Sequence, residues 1–313
     1  MKYLHVPVLL EETVGHLVHD PEGTYVDGTA GTGGHSAAIL EKLTGRGRLI
    51  SLDRDPEAVS LSRRRLTGHG NRAVVIRANF ADMDRVLEGL NIPAVEGVLL
   101  DLGMSSHQLE KSGRGFSFKR GETLDMRMNP DNHLVASHLV NNAPPGDLEK
   151  ILQDYGEERN ARTIVRAIVR ERAKGPIETS SRLAEVISAV SPGSRRHRGI
   201  HPATRTFQAL RIAVNRELKH LDSFLHKTPD LMTPGGRLVV ISYHSLEDRR
   251  VKHRMAQWEN PCSCPPDFPR CVCGKRPVFR RLFRRGLKPA REEIDRNPRA
   301  RSAIMRAAER VAP

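Results

Sequence analysis

The stretch that most constrains this fold is Thr24-Tyr25-Val26-Asp27-Gly28-Thr29-Ala30-Gly31-Thr32-Gly33-Gly34-His35-Ser36. Its apolar start, Thr24 to Val26, reads as a strand. An acidic residue follows, then four glycines within seven positions, then a helix start at Ser36-Ala37-Ala38-Ile39-Leu40. Strand, glycine-rich turn and helix in that order form a nucleotide-cofactor loop. Glycine reaches backbone angles closed to other residues and lets a ligand approach the main chain. The helix start adds unpaired N–H groups. An ordinary tight strand-to-helix turn would read the same way, so the other strand ends must decide.

Two phosphate-binding loops are excluded by spacing. A P-loop needs Gly-Lys-Ser/Thr, and no lysine lies here; a strict Gly-x-Gly-x-x-Gly is also absent. The pattern that fits is Asp-x-x-x-Gly-x-Gly-Gly, led by Asp27. A carboxylate there repels a pyrophosphate and suits a cationic, methionine-like end, as in S-adenosylmethionine. Arg48 to Asp53 reads as a second strand ending on an acid, about twenty residues past the loop, where doubly wound sheets hold the ribose hydroxyls of an adenosine. Asp53 could instead be a turn residue, although Asp55 with Pro56 is the better helix cap. Ala73 to Arg77 is a third strand, followed by Phe80, which either stacks on an adenine or belongs to the core. Val95 to Gly103 is a fourth, ending in Asp101. Open parallel sheets bind ligands at the carboxyl ends of their strands, so Asp27, Asp53, Phe80 and Asp101 are expected in one crevice. The fold class is therefore α/β, a Rossmann-like doubly wound sheet.

A helical lead-in is expected over residues 5–20. Past strand four the pattern becomes helical, with an amphipathic helix from Glu157 to Arg172 and a long one from Thr204 to Leu225. The first carries Arg159, Arg162, Arg166 and Arg170 on its polar face; a basic loop, Arg195 to Pro202, lies between the two. Pro234 to Ser242 then resumes the sheet pattern. The expected organisation is a sheet domain in two parts, 1–131 and 216–313, with an inserted helical substrate-recognition domain at 132–215. Net charge is +14, and residues 270–313 alone hold 14 Lys and Arg against 4 Asp and Glu. Phe279 and Phe283 stand among those arginines, a composition suited to RNA backbone and base stacking. No apolar run reaches the ~18 residues needed to span a membrane, and the N-terminus lacks a signal-peptide pattern, so a cytoplasmic protein is expected.

The segments His5-Val6-Pro7-Val8-Leu9, Asp27 to Ser36, Asp101-Leu102-Gly103-Met104-Ser105-Ser106, Tyr243-His244-Ser245-Leu246-Glu247-Asp248-Arg249 and Asn297-Pro298-Arg299-Ala300-Arg301-Ser302 together resemble the bacterial ribosomal RNA small-subunit methyltransferase H family, also called MraW. The resemblance covers essentially the whole chain. It implies a class I S-adenosylmethionine-dependent methyltransferase fold with an inserted α-helical domain. It also implies methylation of the exocyclic N4 amine of a cytidine in the decoding region of 16S rRNA, within the 30S subunit. Carried over by residue, cofactor contacts fall on Gly33, Gly34, His35, Asp53, Phe80, Asp101 and Gln108, beside Asp27 from the loop reading. Gln108 rests on the resemblance and could otherwise be a loop-capping amide. A non-catalytic RNA-binding assembly factor that uses the pocket as a sensor is the alternative function.

Methyl transfer to an amine needs a group to hold and deprotonate it. Asp101, the Leu102 and Gly103 carbonyls, Ser105 and Ser106 at the end of strand four are the candidates, a serine or carbonyl being preferred where Asp101 engages the cofactor, with His244 just after strand five. His244 and Glu247 could equally form a helix-start network. The Asp/Asn-Pro-Pro-aromatic motif of many amino-methylating enzymes is replaced here by Asp101-Leu102-Gly103-Met104. Methylation at ring carbon five needs a cysteine nucleophile, and no cysteine precedes Cys262. All four cysteines, Cys262, Cys264, Cys271 and Cys273, form two Cys-x-Cys pairs, which suggests a structural zinc site. Many members of the family lack them, which makes any zinc structural rather than catalytic. The oligomeric state is left open, a homodimer included.

Overall fold

The computed structural model describes residues 7–118, 120–191, 201–265 and 272–312. Two compact units divide it: Met1–Gly103 with Leu218–Pro313, and Met104–Glu217.

The first unit is built on a sheet. In chain order it holds α1 (Leu10–Leu17), β1 (Thr24–Asp27), α2 (Gly34–Lys42), β2 (Arg48–Asp53), α3 (Pro56–Leu66), β3 (Ala73–Arg77), α4 (Met83–Gly89) and β4 (Val95–Asp101). The strands order as β3-β2-β1-β4 followed by three later ones, and these four run parallel. Successive strand residues feed opposite faces: Tyr25, Leu49 and Leu99 join one apolar cluster, while Val26, Ile50, Val98 and Leu100 join the other. Both faces being buried, the strands read as nearly continuous apolar runs, as in other helix-covered parallel sheets. Helices α1 and α2 cover the first face through Val14, Leu17, Ile39 and Leu40; α4 covers the second through Met83 and Leu87.

The second unit is helical. It contains α5 (Ser106–Glu110), α6 (Ala136–Asn142), α7 (Pro145–Gly156), α8 (Ala161–Arg172), α9 (Ser180–Ala189) and α10 (Thr204–Asn215), around a core that includes Leu148, Leu152, Ile164, Ile168, Leu183, Ile187, Phe207 and Leu210. Phe116, Leu124, Met126 and Met128 are buried in the same core, so this unit begins at Met104, earlier than the boundary at 132 drawn from helical periodicity. Gly115 allows that packing: at φ +71° it holds a left-handed turn, and a Cβ there would lie 2.3 Å from the Thr123 carbonyl oxygen.

Two helices differ from expectation. The amphipathic helix starts at Ala161, because Glu157 sits in the left-handed region (φ 47°) and ends α7. The long helix breaks at Arg216 (φ 50°). There the Asn215 amide donates to the Met126 carbonyl (2.8 Å) and accepts from the Met128 N–H (2.8 Å), so it serves the preceding loop. Helix α11 (Glu217–Leu231) then carries the chain back to the first unit.

β5 (Met232–Ser242) pairs in parallel with β4; α12 (Ser245–Glu259), β6 (Phe279–Arg281), α13 (Arg291–Arg296) and β7 (Ile304–Arg310) follow. β7 lies antiparallel between β5 and β6, giving the seven-stranded order β3-β2-β1-β4-β5-β7-β6. This is a Rossmann-like doubly wound sheet. Its last two strands come from the arginine-rich segment 270–313. Phe279 is fully buried and stacks on Trp258 (4.6 Å between centroids), so it is not an RNA-stacking residue. Phe283 is also packed, edge-on to His16 at 5.2 Å.

Candidate active site

The glycine loop hangs between β2 and β4. Gly28 N–H donates to the Leu99 carbonyl (2.9 Å), Ala30 N–H to Leu52 (2.8 Å), and the Ser62 hydroxyl to Gly31 (3.0 Å). Gly31 (φ 53°) and Gly33 (φ 77°) take left-handed backbone, which turns the chain into α2. Gly34 opens that helix, and a Cβ on it would lie 2.4 Å from Pro7 Cγ. No side chain caps α2, so its first N–H groups face outward as donors.

Asp27 is only 2% exposed. Its carboxylate accepts from the Ser36 hydroxyl (2.6 Å) and the Thr29 N–H (3.1 Å), and so braces the loop from behind. Burial pushes its pKa up, against those bonds. Asp53 accepts from the Gly31 N–H (2.9 Å) and the Asp55 N–H (2.9 Å), joining the end of β2 to the loop. Burial raises its pKa to about 6.

Asp101 ties the glycine loop to the residue that follows β5. Its N–H donates to the Thr29 hydroxyl (2.6 Å), and its Oδ1 accepts from the Tyr243 hydroxyl (2.8 Å). Its Oδ2 lies 3.5 Å from His35 Nδ1, and the side chain is 20% exposed. His35 Nε2 lies 3.0 Å from the Val8 carbonyl oxygen. A carbonyl only accepts, so that nitrogen carries the imidazole proton. Burial lowers the pKa of His35, which keeps the ring neutral and makes Nδ1 an acceptor. Burial also raises Asp101 to about 7, against the Tyr243 bond that lowers it. A proton on Oδ2 therefore satisfies both partners. Tyr243 was not foreseen as a site residue; its signal was its place directly after β5, whose register sets Ile241 beside Asp101.

The remaining predicted residues fall as follows. Phe80 is partly buried, edge-on to Phe224 (5.9 Å) and packed against the core. His244 caps α12: Nδ1 accepts from the Glu247 N–H (3.4 Å), while Nε2 lies 3.1 Å from Glu247 Oε1. Ser105 and Gln108, both in the helical unit, form a capping box at α5, each side chain bonding the other's backbone N–H. Ser106 is the first residue of that helix. Cys262, Cys264 and Cys273 bring their sulfurs within 4.8 Å of one another; Cys273 Sγ is 3.8 Å from Cys262 Sγ, and the Val272 N–H donates to Cys264 Sγ at 3.4 Å. Cys271 lies outside the described residues, as do His5 and positions 195–200 of the basic loop.

Buried Asp27 and half-buried Asp53 and Asp101, all with raised pKa at one end of a sheet, form a site short of positive charge. A cationic sulfonium ligand fits that deficit, and the glycine loop leaves backbone room for it.

The model of the MraW methylase family matches residues 2–311. The chain belongs to that family. A relative from Heliobacterium modesticaldum named ribosomal RNA small subunit methyltransferase H is 49% identical over 312 residues, covering 99% of this chain and all of its own. Another of that name, from Symbiobacterium thermophilum, is 47% identical over 307 residues, covering 98% and 96%. Among solved structures, an rRNA methylase from Streptococcus thermophilus aligns over 96% of this chain and 93% of its own, with 12% identity and a TM-score of 0.39. Membership in the MraW family makes this chain an S-adenosylmethionine-dependent methyltransferase. Among the described residues, no helix is long and apolar enough to cross a membrane.

Proposed function

We propose that the chain methylates the exocyclic N4 amine of a cytidine in the decoding region of 16S rRNA, acting on the 30S subunit in the cytoplasm. The observation that carries the reading is Asp101: a carboxyl raised to about 7, held by Tyr243 and facing His35, in a chain of the MraW family. S-adenosylmethionine supplies an activated methyl group on a sulfonium. Asp53, Gly33, Gly34, His35, Phe80, Asp101 and Gln108 are the residues that would hold it. The protein's remaining task is to set the amine in line, within roughly 3–3.5 Å of the methyl carbon.

A cytosine amine is a weak nucleophile because its lone pair is drawn into the ring. On taking up the methyl group the amine nitrogen would become cationic and would have to shed a proton. Asp101 Oδ accepts it; a base whose pKa lies near the working pH is the efficient choice. Tyr243 fixes the carboxylate's orientation through Oδ1, and a proton taken up on Oδ2 faces the acceptor Nδ1 of His35. Ser105 has its hydroxyl committed to the cap of α5, which leaves it a weaker acceptor than Asp101. The helical unit and its arginines supply RNA recognition in this reading.

The deciding experiment is labelled methyl transfer to 30S subunits and to naked 16S rRNA, each from cells lacking the enzyme. N4-methylcytidine in the digested product is the expected result. Carbon-five or ribose methylation would refute the mechanism, and cofactor binding without transfer would favour the assembly-factor reading.

The thiol cluster supports a second, structural assignment: a zinc ion at Cys262, Cys264 and Cys273. Zn–S bonds of about 2.3 Å set tetrahedral S···S edges near 3.8 Å, the separation of Cys273 and Cys262. Elemental analysis of protein purified without chelator should find about one zinc per chain, lost in Cys262→Ser/Cys264→Ser. Metal below one-fifth of an equivalent (~0.2) would exclude the site.

A further inference from the structure

Helix α8 carries five buried positions, Ala161, Ile164, Val165, Ala167 and Ile168, on the face that packs into the helical unit. Its opposite face carries Arg162, Arg166 and Arg170, all exposed, with exposed Arg159 just before the helix. The three helical arginines recur every fourth residue, so they stack in one row with steps of roughly 6 Å. None of the four has an ion pair or hydrogen bond among the described residues. Other arginines of this unit are engaged: Arg172 donates to the Val140 and Ala143 carbonyls, Arg211 is paired to Glu217, and Arg182 to Glu171 and Glu185.

Like charges at i, i+4 on a helix repel, by about 0.2–0.5 kcal/mol per pair. A row of them with no ion-paired carboxylate among the described residues is a local cost that a polyanion would relieve. Each guanidinium also offers a planar fork of N–H donors matched to phosphate oxygens. The step of the row is on the scale of successive phosphates along a nucleic-acid strand, and the packed inner face holds the row rigid.

We infer that the Arg162–Arg166–Arg170 row, extended by Arg159, is a surface that tracks the sugar–phosphate backbone of the rRNA substrate. It sets affinity without reading sequence, as phosphate contacts do. The inference rests on the rRNA reading above and adds the place where the strand is held.

The test uses the full-length chain with Arg162→Gln/Arg166→Gln/Arg170→Gln, which removes charge while keeping helix propensity. A control, Arg46→Gln/Arg64→Gln/Arg85→Gln, removes the same charge from exposed positions of the sheet unit. Naked 16S rRNA binding is measured from 50 to 200 mM salt, alongside methyl-transfer kinetics and cofactor binding. The α8 triple variant should bind rRNA at least ~10-fold more weakly at 100 mM salt, with a salt slope shallower by about 2, because each lost phosphate contact removes about 0.7–0.9. Its KM for RNA should rise in parallel, with kcat and cofactor affinity unchanged and the melting temperature equal to or slightly above that of wild type. Restoration by three lysines should be partial. Unchanged KM and slope would overturn the inference, as would an equal loss in the control, which would mark a diffuse field effect. Normal binding to naked rRNA with lost activity on 30S subunits would also overturn it, in favour of a protein partner. If wild type itself transfers no methyl group to rRNA, the functional reading fails instead.

Discussion

Asp101→Asn is expected to lower kcat by about 10²–10⁴-fold, the range supplied by a positioned general base, while making the protein more stable at alkaline pH. The activity loss follows because an amide cannot take the amine proton. The stability gain follows from linkage. Asp101 ionises at about 7 in the folded chain against 3.8 for a free side chain. Between those values the native state binds the proton that the unfolded state has released, so stability falls as pH rises from about 4 to 7 and levels off above. About three pKa units correspond to roughly 4 kcal/mol, an upper figure for a side chain that keeps some solvent contact. Asparagine carries no charge to desolvate. Its carbonyl can accept from Tyr243, and its amide can donate to His35 Nδ1, the same pattern as the protonated acid. The melting-temperature gap between Asp101→Asn and wild type should therefore be smaller at pH 5, part-way through the titration, and widen to several degrees at pH 8. Tyr243→Phe removes the bond that holds the Asp101 pKa down, so the acidic limb of the pH–rate profile should move to higher pH. Retention of kcat within fivefold in Asp101→Asn would remove Asp101 from the chemistry; a stability gain independent of pH would remove the charge argument.

The contrast between Asp101 and Tyr243 shows what a sequence reading can see here. The strands were legible because helix-covered parallel strands are continuous apolar runs, and their terminal acids stand out against them. The glycine loop was legible because backbone angles dictate residue type. Tyr243 was not, since its partner lies 142 positions away and the pairing depends on the β4–β5 register. β6 and β7 were hidden for a different reason. Their arginines point outward or pair with acids such as Glu309, so strong local charge masked short strands whose inner residues, Phe279 and Ala308, are buried. The break at Arg216 was also invisible, because Asn215 ends the helix through bonds to Met126 and Met128, far back in the chain. Asp27 and Asp53 were placed correctly at strand ends, but their present partners are the loop's own groups.

That last point bears on cofactor affinity. Asp53→Ala should weaken binding of S-adenosylhomocysteine by about 10²-fold or more, with kcat at saturating cofactor nearly unchanged. Two effects combine. The proposed acceptor of the ribose hydroxyls is lost, and so is the anchor of Gly31, whose N–H it holds at 2.9 Å. Hydrogen bonds to a charged group contribute about 1.5–3 kcal/mol each, and a buried donor left unpaired adds its own desolvation penalty. Gly31 sits at φ 53°, so the released loop has other backbone states available and binding must select among them. Asp53→Asn keeps one oxygen for Gly31 and should fall between wild type and alanine. The wild-type affinity should also depend on pH: with a pKa of about 6, protonation below that value removes the anionic acceptor, and affinity should fall as pH drops through 6. Asp53→Asn should lack this dependence. Calorimetric titration at pH 5 and pH 8 reads both effects. Alanine binding within threefold of wild type would mean that Asp53 braces a loop whose shape the cofactor does not need.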